Sequence, residues 1–278
     1  FTDVEAGTSA TYSNSPMRVA VSGTRMYVAD STNSRITGFS PLPTATGVAS
    51  SFLLGNTIYD SVANSSNFLT PAPTVLHSPS GLVTDGTRLI ATDTENHRVL
   101  IWTAIPTSTN QAPNLVLGQT NFTTVTSGIT STTLDTPWGV TTTGVKLAVA
   151  DQNNSRVLIW NTFPTVNGDP ADLVLGQADF TSRLDNQGGS VSSQTMSRPK
   201  AVATDGKRLV VADYSNQRVL IWNTWPTLSN QAADLVLGQP DMTSSTSATT
   251  AAGMASPLAV HISKGRLYVA DTGNRRVS

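Results

Sequence analysis

The chain has 278 residues, of which only 13% are charged, with a formal net charge of −1 and no cysteine. That balance offers no basic field to recruit nucleic acid or an anionic membrane surface, and it leaves out a disulfide framework and thiol chemistry. No apolar run approaches the roughly 18 residues of a spanning helix, and Ser, Thr, Asn and Gln supply most of the polar surface, which suits a secreted, periplasmic or cell-surface bacterial protein.

In chain order, the first periodic element is a copy of about 14–56. It opens on Pro16-Met-Arg-Val and reaches Val-Ala-Asp30, then Asn33-Ser-Arg35. The second copy, about 77–119, starts Pro79-Ser-Gly-Leu and carries Asp93, Asn96, Arg98 and Ile-Trp102. The third, about 136–177, starts Pro137-Trp-Gly-Val and carries Asp151, Asn154, Arg156 and Ile-Trp160. The fourth, about 197–239, starts Pro199-Lys-Ala-Val and carries Asp213, Asn216, Arg218 and Ile-Trp222. The fifth, about 255–278, starts Pro257-Leu-Ala-Val and stops soon after Asp271 and Arg276. The matching aspartates are spaced 63, 58, 62 and 58 residues apart, and a repeat of this kind specifies architecture before chemistry.

Each full copy holds four apolar runs of strand length with no helical period between them. In the fourth copy they are expected near Ala201–Thr204, Arg208–Ala212, Arg218–Trp222 and Asp234–Leu237, with Asp205-Gly206 supplying the positive φ angles of a tight hairpin turn, as Asp85-Gly86 does in the second. Short antiparallel strands repeated in fours predict an all-β fold, a β-propeller of four-stranded blades, with residues 1–278 as one propeller. Trp102, Trp160 and Trp222 are expected to pack between neighbouring blades. The first copy departs from the pattern, with Arg18 in the Gly position and Gly38-Phe39 in place of Ile-Trp.

The Asp-x-x-Asn-x-Arg-Val signature after Val-Ala-Asp, with the upstream Pro-x-Gly-Val, resembles the NHL repeat. The stretch Asn-Thr-x-Pro-Thr…Ala-Asp-Leu-Val-Leu-Gly-Gln-x-Asp-Phe at 161–180 and 223–242, with Met242 replacing Phe, is similar to the long repeats of bacterial secreted NHL proteins. The resemblance covers nearly the whole chain and implies a propeller commonly of six blades, against five copies visible here. Phe1-Thr2 aligns with Phe122-Thr123 and Phe180-Thr181, and the fifth copy lacks its outer strands. The expectation is a segment of a longer chain, the remaining chain or a partner subunit completing the ring.

A residue present in every blade is explained first by what every blade needs. Asp30, Asp93, Asp151, Asp213 and Asp271, with Arg35, Arg98, Arg156, Arg218 and Arg276, are therefore expected to hold the turn between strands 2 and 3. Binding is expected where copies differ and where long connections emerge on the same face, through about 57–77, 120–135, 178–196 and 240–255. After the leading proline the copies carry Met17, Ser80, Trp138, Lys200 and Leu258; in the turn, Glu95, His97, Tyr214 and Arg275 replace small or amide residues. The candidate ligand-binding set is Trp138, Lys200, Glu95, His97, Tyr214 and Arg275. Trp138 offers a stacking surface, and Lys200 and Arg275 offer anion contacts.

Enzymatic chemistry finds no converging set. His77, His97 and His261 occupy three different repeat positions, and there is no haem attachment motif, nucleophile elbow or phosphate loop. No cofactor is expected, although Ca²⁺ needs only oxygen ligands and remains compatible with a channel lined by Asp or Asn. Matches to the glycosylation pattern at Asn64, Asn121 and Asn153 are those expected by chance in an Asn/Ser/Thr-rich chain. The leading expectation is a non-enzymatic extracellular module that binds protein or glycan, or serves as a scaffold, without nucleic-acid binding or membrane insertion. The rivals are a metal-dependent hydrolase or lyase and an architectural subunit of an assembly.

Overall fold

The computed structural model describes residues 13–55 and 70–278. The Phe1-Thr2 alignment, Asn64 and most of the first connection lie outside the described residues. The described chain is built of antiparallel sheets joined by turns, with no helix beyond short 3-10 turns. Blade 1 contains β1 (Pro16–Ser22), β2 (Arg25–Asp30), β3 (Arg35–Phe39) and β4 (Phe52–Gly55). Blade 2 contains β5 (Pro79–Thr84), β6 (Leu89–Asp93), β7 (Arg98–Trp102) and β8 (Leu115–Leu117). Blade 3 contains β9 (Pro137–Thr142), β10 (Leu147–Asp151), β11 (Arg156–Trp160) and β12 (Leu173–Leu175). Blade 4 contains β13 (Ala201–Thr204), β14 (Leu209–Asp213), β15 (Arg218–Trp222) and β16 (Leu235–Leu237). Blade 5 contains β17 (Pro257–Ser263), β18 (Arg266–Asp271) and β19 (Arg276–Val277). Each sheet runs in sequence order, the meander of propeller blades.

Blades 1 and 2 lie in one compact unit, which reaches Thr126 and includes Val166–Gly168; blades 3 to 5 lie in a second, Ser127–Thr165 with Asp169–Ser278. In the first unit, Ile36, Phe52 and Leu54 of blade 1 share a core with Leu82, Leu100 and Trp102 of blade 2. In the second, Val157, Ile159 and Leu175 of blade 3 meet Val202, Leu220 and Trp222 of blade 4, and Val210 and Val219 of blade 4 meet Val260 and Val269 of blade 5. A strand covered on both faces has no need of alternation. That is why the Val-Leu-Ile-Trp runs of β7 and β11 are buried throughout. Burial of one such side chain contributes roughly 1.5–3 kcal/mol.

The tryptophans do more than fill space. The indole N–H groups of Trp102, Trp160 and Trp222 donate to the carbonyls of Gln111, Asp169 and Gln231, at 2.7, 2.9 and 3.1 Å. Each bond fixes the loop between strands 3 and 4 of its own blade.

First strands of neighbouring blades approach closely in the second unit. A Cβ on Gly139 of β9 would fall 2.7 Å from the Lys200 carbonyl and 2.9 Å from Ala201 Cα. This approach explains the small residue at the third position of Pro-x-Gly-Val. In blade 1 the volume is redistributed. Gly38 pairs with Phe52, whose ring occupies the space a Cβ would need and stands edge-on to Tyr27, with centroids 6.0 Å apart.

The expected two-residue turn at Asp205-Gly206 is corrected. Thr204 pairs with Leu209, so the loop has four residues, and only Gly206 of the Asp-Gly pair takes positive φ. Asp205 Oδ1 accepts from the backbone N–H groups of Lys207 and Arg208, while Thr204 Oγ1 accepts from Gly206 N–H and donates to the Arg208 carbonyl. The side chains close a wider loop by satisfying its backbone. The two-residue turn with both residues at positive φ occurs instead at Lys264-Gly265 of blade 5.

Candidate functional site

The repeated aspartate and arginine form one device. In blade 3, Asp151 Oδ2 accepts from Arg156 Nε at 2.7 Å and from Asn154 Nδ2 at 2.8 Å, while Oδ1 accepts from the Asp135 backbone N–H at 2.7 Å. The Arg156 guanidinium donates further to the carbonyls of Ile129, Thr130, Thr133 and Phe180. Five acceptors therefore meet the five N–H donors of arginine. Arg98 makes four such bonds, to Asp93 and the carbonyls of Ala72, Val75 and Phe122, and Arg218 makes four, to Asp213 and those of Ser192, Thr195 and Met242. In blade 1 the pair is Asp30 with Arg35, and in blade 5 it is Asp271 with Arg276.

Burial pushes the Asp93, Asp151 and Asp213 carboxyls up from the ordinary range, against the opposing pull of the arginine and the N–H donors. All three are sealed from solvent. These carboxylates bind the turn between strands 2 and 3 to the long connections and present nothing to a ligand. Conserving the device in every blade brings the turns and the connections together.

A second device was missed in the sequence, although its signal was present as the recurring Leu-Gly-Gln. Gln119 Nε2 donates to the carbonyls of His97 and Thr126, and its Oε1 accepts from Thr126 N–H. Gln239 repeats the pattern with Gln217 and Thr246. In both, a buried or half-buried amide clasps the connection seven residues on.

On this scaffold, three of the predicted residues come together. Lys200, between the leading Pro199 and β13, places Nζ 4.3 Å from the Trp138 ring centroid and 4.1 Å from that of Tyr214. Trp138 stands at the same repeat position one blade earlier, on β9, and Tyr214 opens the 3-10 turn after β14. The close approach at Gly139 is what lets Lys200 reach across. A cation held against two ring faces is attracted by both quadrupoles. All three side chains are half-buried. Burial, followed by the charge of Arg198, pushes the Lys200 ammonium below the ordinary lysine range.

The other predicted residues stand elsewhere. Glu95 is exposed in the 3-10 turn after β6, and His97 caps that turn in the left-handed conformation, φ 52°. Arg275 is exposed and holds the same left-handed position in blade 5, φ 53°. That position belongs to the turn, since Ser34, Ser155 and Gln217 share it. Met17 and Leu258 are half-buried and Ser80 is buried. Among the described residues, no three His, Cys, Asp or Glu side chains converge as metal ligands would. No helix among them is long and apolar enough to cross a membrane.

No protein-family model matches the chain, and no curated protein matches it. Solved structures do. A provisionally assigned 6-phosphogluconolactonase from Bacteroides uniformis aligns over 96% of this chain and 66% of its own, at 15% identity and TM-score 0.55. A streptogramin B lyase aligns over 95% and 65%, at 10% identity and TM-score 0.52. A nidogen/laminin complex aligns over 95% and 75%, at 16% identity and TM-score 0.50. The chain thus spans about two thirds of the length of the first two. Together with the sheets described above, these likenesses define the fold class as an all-β propeller. At such identities they carry fold and not activity.

Proposed function

We propose that the chain is an NHL-type propeller segment of a larger secreted, periplasmic or cell-surface protein, and that it acts without catalysis as a module binding protein or glycan. The observation that carries this reading is Lys200 seated between Trp138 and Tyr214. The cluster is a half-buried cation set against two aromatic rings, which is chemistry for holding a sugar or a polar protein surface. The repeated acids, which a hydrolase would need at an open site, are sealed into arginine pairs. The nidogen/laminin structure supports the protein-binding form of this reading, since it holds a related fold in a protein complex.

The test is binding of the chain to a glycan array and to candidate extracellular proteins, repeated with Trp138→Ala and Lys200→Ala, with metal analysis of the same sample. Loss of a specific interaction in both variants, with folding unchanged, supports the module. A stoichiometric divalent ion, or turnover abolished by a chelator, overturns it in favour of a metal-dependent hydrolase or lyase.

A further inference from the structure

Three times in this chain the turn between strands 3 and 4 of one blade closes on the outermost strand of the blade before it, through the same two hydrogen bonds. Leu53 N–H donates to Thr109 Oγ1 at 3.3 Å, and the Leu53 carbonyl accepts from Asn110 N–H at 2.8 Å. Val116 makes this pair with Asn167 Oδ1 and Gly168 N–H, at 3.1 and 2.9 Å. Val174 makes it with Ser229 Oγ and Asn230 N–H, at 3.2 and 2.7 Å. In each turn a short oxygen-bearing side chain precedes a residue at positive φ, 61° for Asn110, 64° for Gly168 and 53° for Asn230. All three receiving residues, Leu53, Val116 and Val174, are fully buried.

The fourth receiving strand, β16, is open. Val236 holds the same position, since it pairs with Leu220 as Val174 pairs with Leu158. Among the described residues nothing bonds to its backbone from outside the sheet, and it is half-buried rather than sealed. Leu237 is 40% exposed, whereas its counterparts Leu117 and Leu175 are fully buried, and Leu235 is 49% exposed. An open strand edge between apolar side chains is a template for pairing with another polypeptide segment.

Two neighbouring features define what that segment carries. A slot of about 60 Å³ between blades 4 and 5 is lined by Val210, Ile221, Ile262 and Leu267 among others. Leu267 pairs with Ile262 as Leu209 pairs with Thr204, and Leu209 pairs on its other side with Trp222, which packs against Ile159 of blade 3. The slot thus lies where a tryptophan one repeat further on would sit. Arg208 lines it too and precedes Leu209 as Lys146 precedes Leu147; Lys146 Nζ stands 5.5 Å from the ring centroid of Trp225.

We propose that the outer edge of blade 4 docks the strand-and-turn of a further copy of this repeat, of the form Trp-x-x-(Ile/Phe/Trp)-Pro-Thr-x-(Ser/Thr/Asn)-(Asn/Gly). This is the chemistry of the three turns already docked, at 102–110, 160–168 and 222–230. The turn's side-chain oxygen accepts from Val236 N–H, and the next residue's N–H donates to the Val236 carbonyl. The tryptophan enters the slot, and the apolar residue before the proline lies against Arg208. The surface shares no residue with the Trp138–Lys200–Tyr214 cluster and stands whether or not that cluster binds anything.

The experiment is a titration of the isotope-labelled 278-residue chain with a synthetic peptide copying Ile221–Leu237, following backbone amides and their hydrogen exchange. Saturable shifts centred on β16 are expected, with exchange of the Val236 amide slowed at least about tenfold. Trp222→Ala in the peptide, or Ser229→Ala with Asn230→Ala, is expected to weaken binding at least about tenfold. Leu235→Asp changes an exposed side chain of the 278-residue chain, so it is expected to fold normally and to weaken the natural peptide by a similar factor. The proposal is overturned if the shifts do not saturate, if Val236 exchange is unchanged, or if a scrambled peptide binds equally. Shifts centred on β12 would also overturn it, since the peptide would then be displacing the chain's own segment from Val174. Self-association of the chain alone with Val236 protected would replace it with a second copy as occupant, through the exposed Thr46-Gly47 turn, whose Gly47 stands at φ 70°.

Discussion

Arg156 Nε lies 2.7 Å from Asp151 Oδ2, five residues back along the chain, and both side chains are fully removed from solvent. The pair closes the turn between β10 and β11, while the four remaining contacts of the guanidinium hold two separate connections. Removing one partner of such a pair leaves an uncompensated buried charge, which costs about 3–5 kcal/mol. Arg156→Met is expected to lose that amount in urea unfolding. Arg156→Lys keeps the charge but has no fork to span four carbonyls, and is expected to recover only a minor part. A loss below about 1 kcal/mol in Arg156→Met would mean that the connections are held by other contacts.

Gly38 and Phe52 trade volume. At the matching positions of blade 2, Ile101 pairs with Leu115. Gly38→Ala places a methyl into the Phe52 ring, and overpacking of this kind costs about 1–3 kcal/mol. Gly38→Ile with Phe52→Leu rebuilds the pair used in blade 2. The double variant is expected to be more stable than Gly38→Ile alone, a non-additivity that a double-mutant cycle measures directly.

The same pair shows how far the sequence could be read. The repeat made the blades and their strand order legible, because the inner apolar runs and the Asp, Asn and Arg of the turn between strands 2 and 3 recur in all five copies. The departures of copy one were visible as substitutions, but their compensation by Phe52 depends on a partner that only strand register reveals. The candidate site divides in the same way. Trp138 and Lys200 stood out as variation at one repeat position, while their contact across two blades depends on the closeness of β9 and β13 at Gly139. His97 and Arg275 also stood out, yet they share a backbone position set by the turn. The glutamine clasp was not legible, because the recurring Leu-Gly-Gln names no partner until the path of the connection seven residues on is known.

The Asp205 carboxyl is pushed up by its partial burial, but the N–H groups of Arg208 and Lys207 and the Arg208 guanidinium outweigh this and hold it down at about 2. The unfolded value is about 3.9. A carboxylate with a depressed folded pKa contributes stability that is fully present above the unfolded value and is lost as pH falls through the folded one. The difference in stability between the natural chain and Asp205→Asn is therefore expected to be constant above about pH 5 and to shrink between about pH 4 and pH 2. Because the pair is exposed to screening, the difference is also expected to fall in high salt. Thermal melts across that range, with and without 1 M salt as roughly a 3 Å screening length, check both statements. A difference that does not change with pH would show that Asp205 acts through its shape alone.

Lys200 provides the last prediction, since its rings and its neighbour Arg198 act on the same proton. Burial first, and the Arg198 charge second, disfavour the ammonium, so its midpoint is expected below the ordinary lysine value of about 10.4. The sign follows from linkage. The folded chain releases this proton before the unfolded chain does, so Lys200 adds stability as pH climbs from the folded midpoint towards about 10.4. Selective isotope labelling of lysine side chains, with Lys200→Arg to assign the signal, gives the midpoint. Arg198→Gln is expected to raise it by removing the like charge. Trp138→Ala opens the cluster to water, which relieves desolvation and removes a ring that favours the cation. If desolvation dominates, the midpoint rises; if the ring's attraction dominates, it falls. Burial outweighs the Arg198 charge at this lysine, and Trp138 lies against the ammonium as part of its cover, so a rise is expected. A fall would show that Trp138 acts chiefly as a cation partner rather than as a cover.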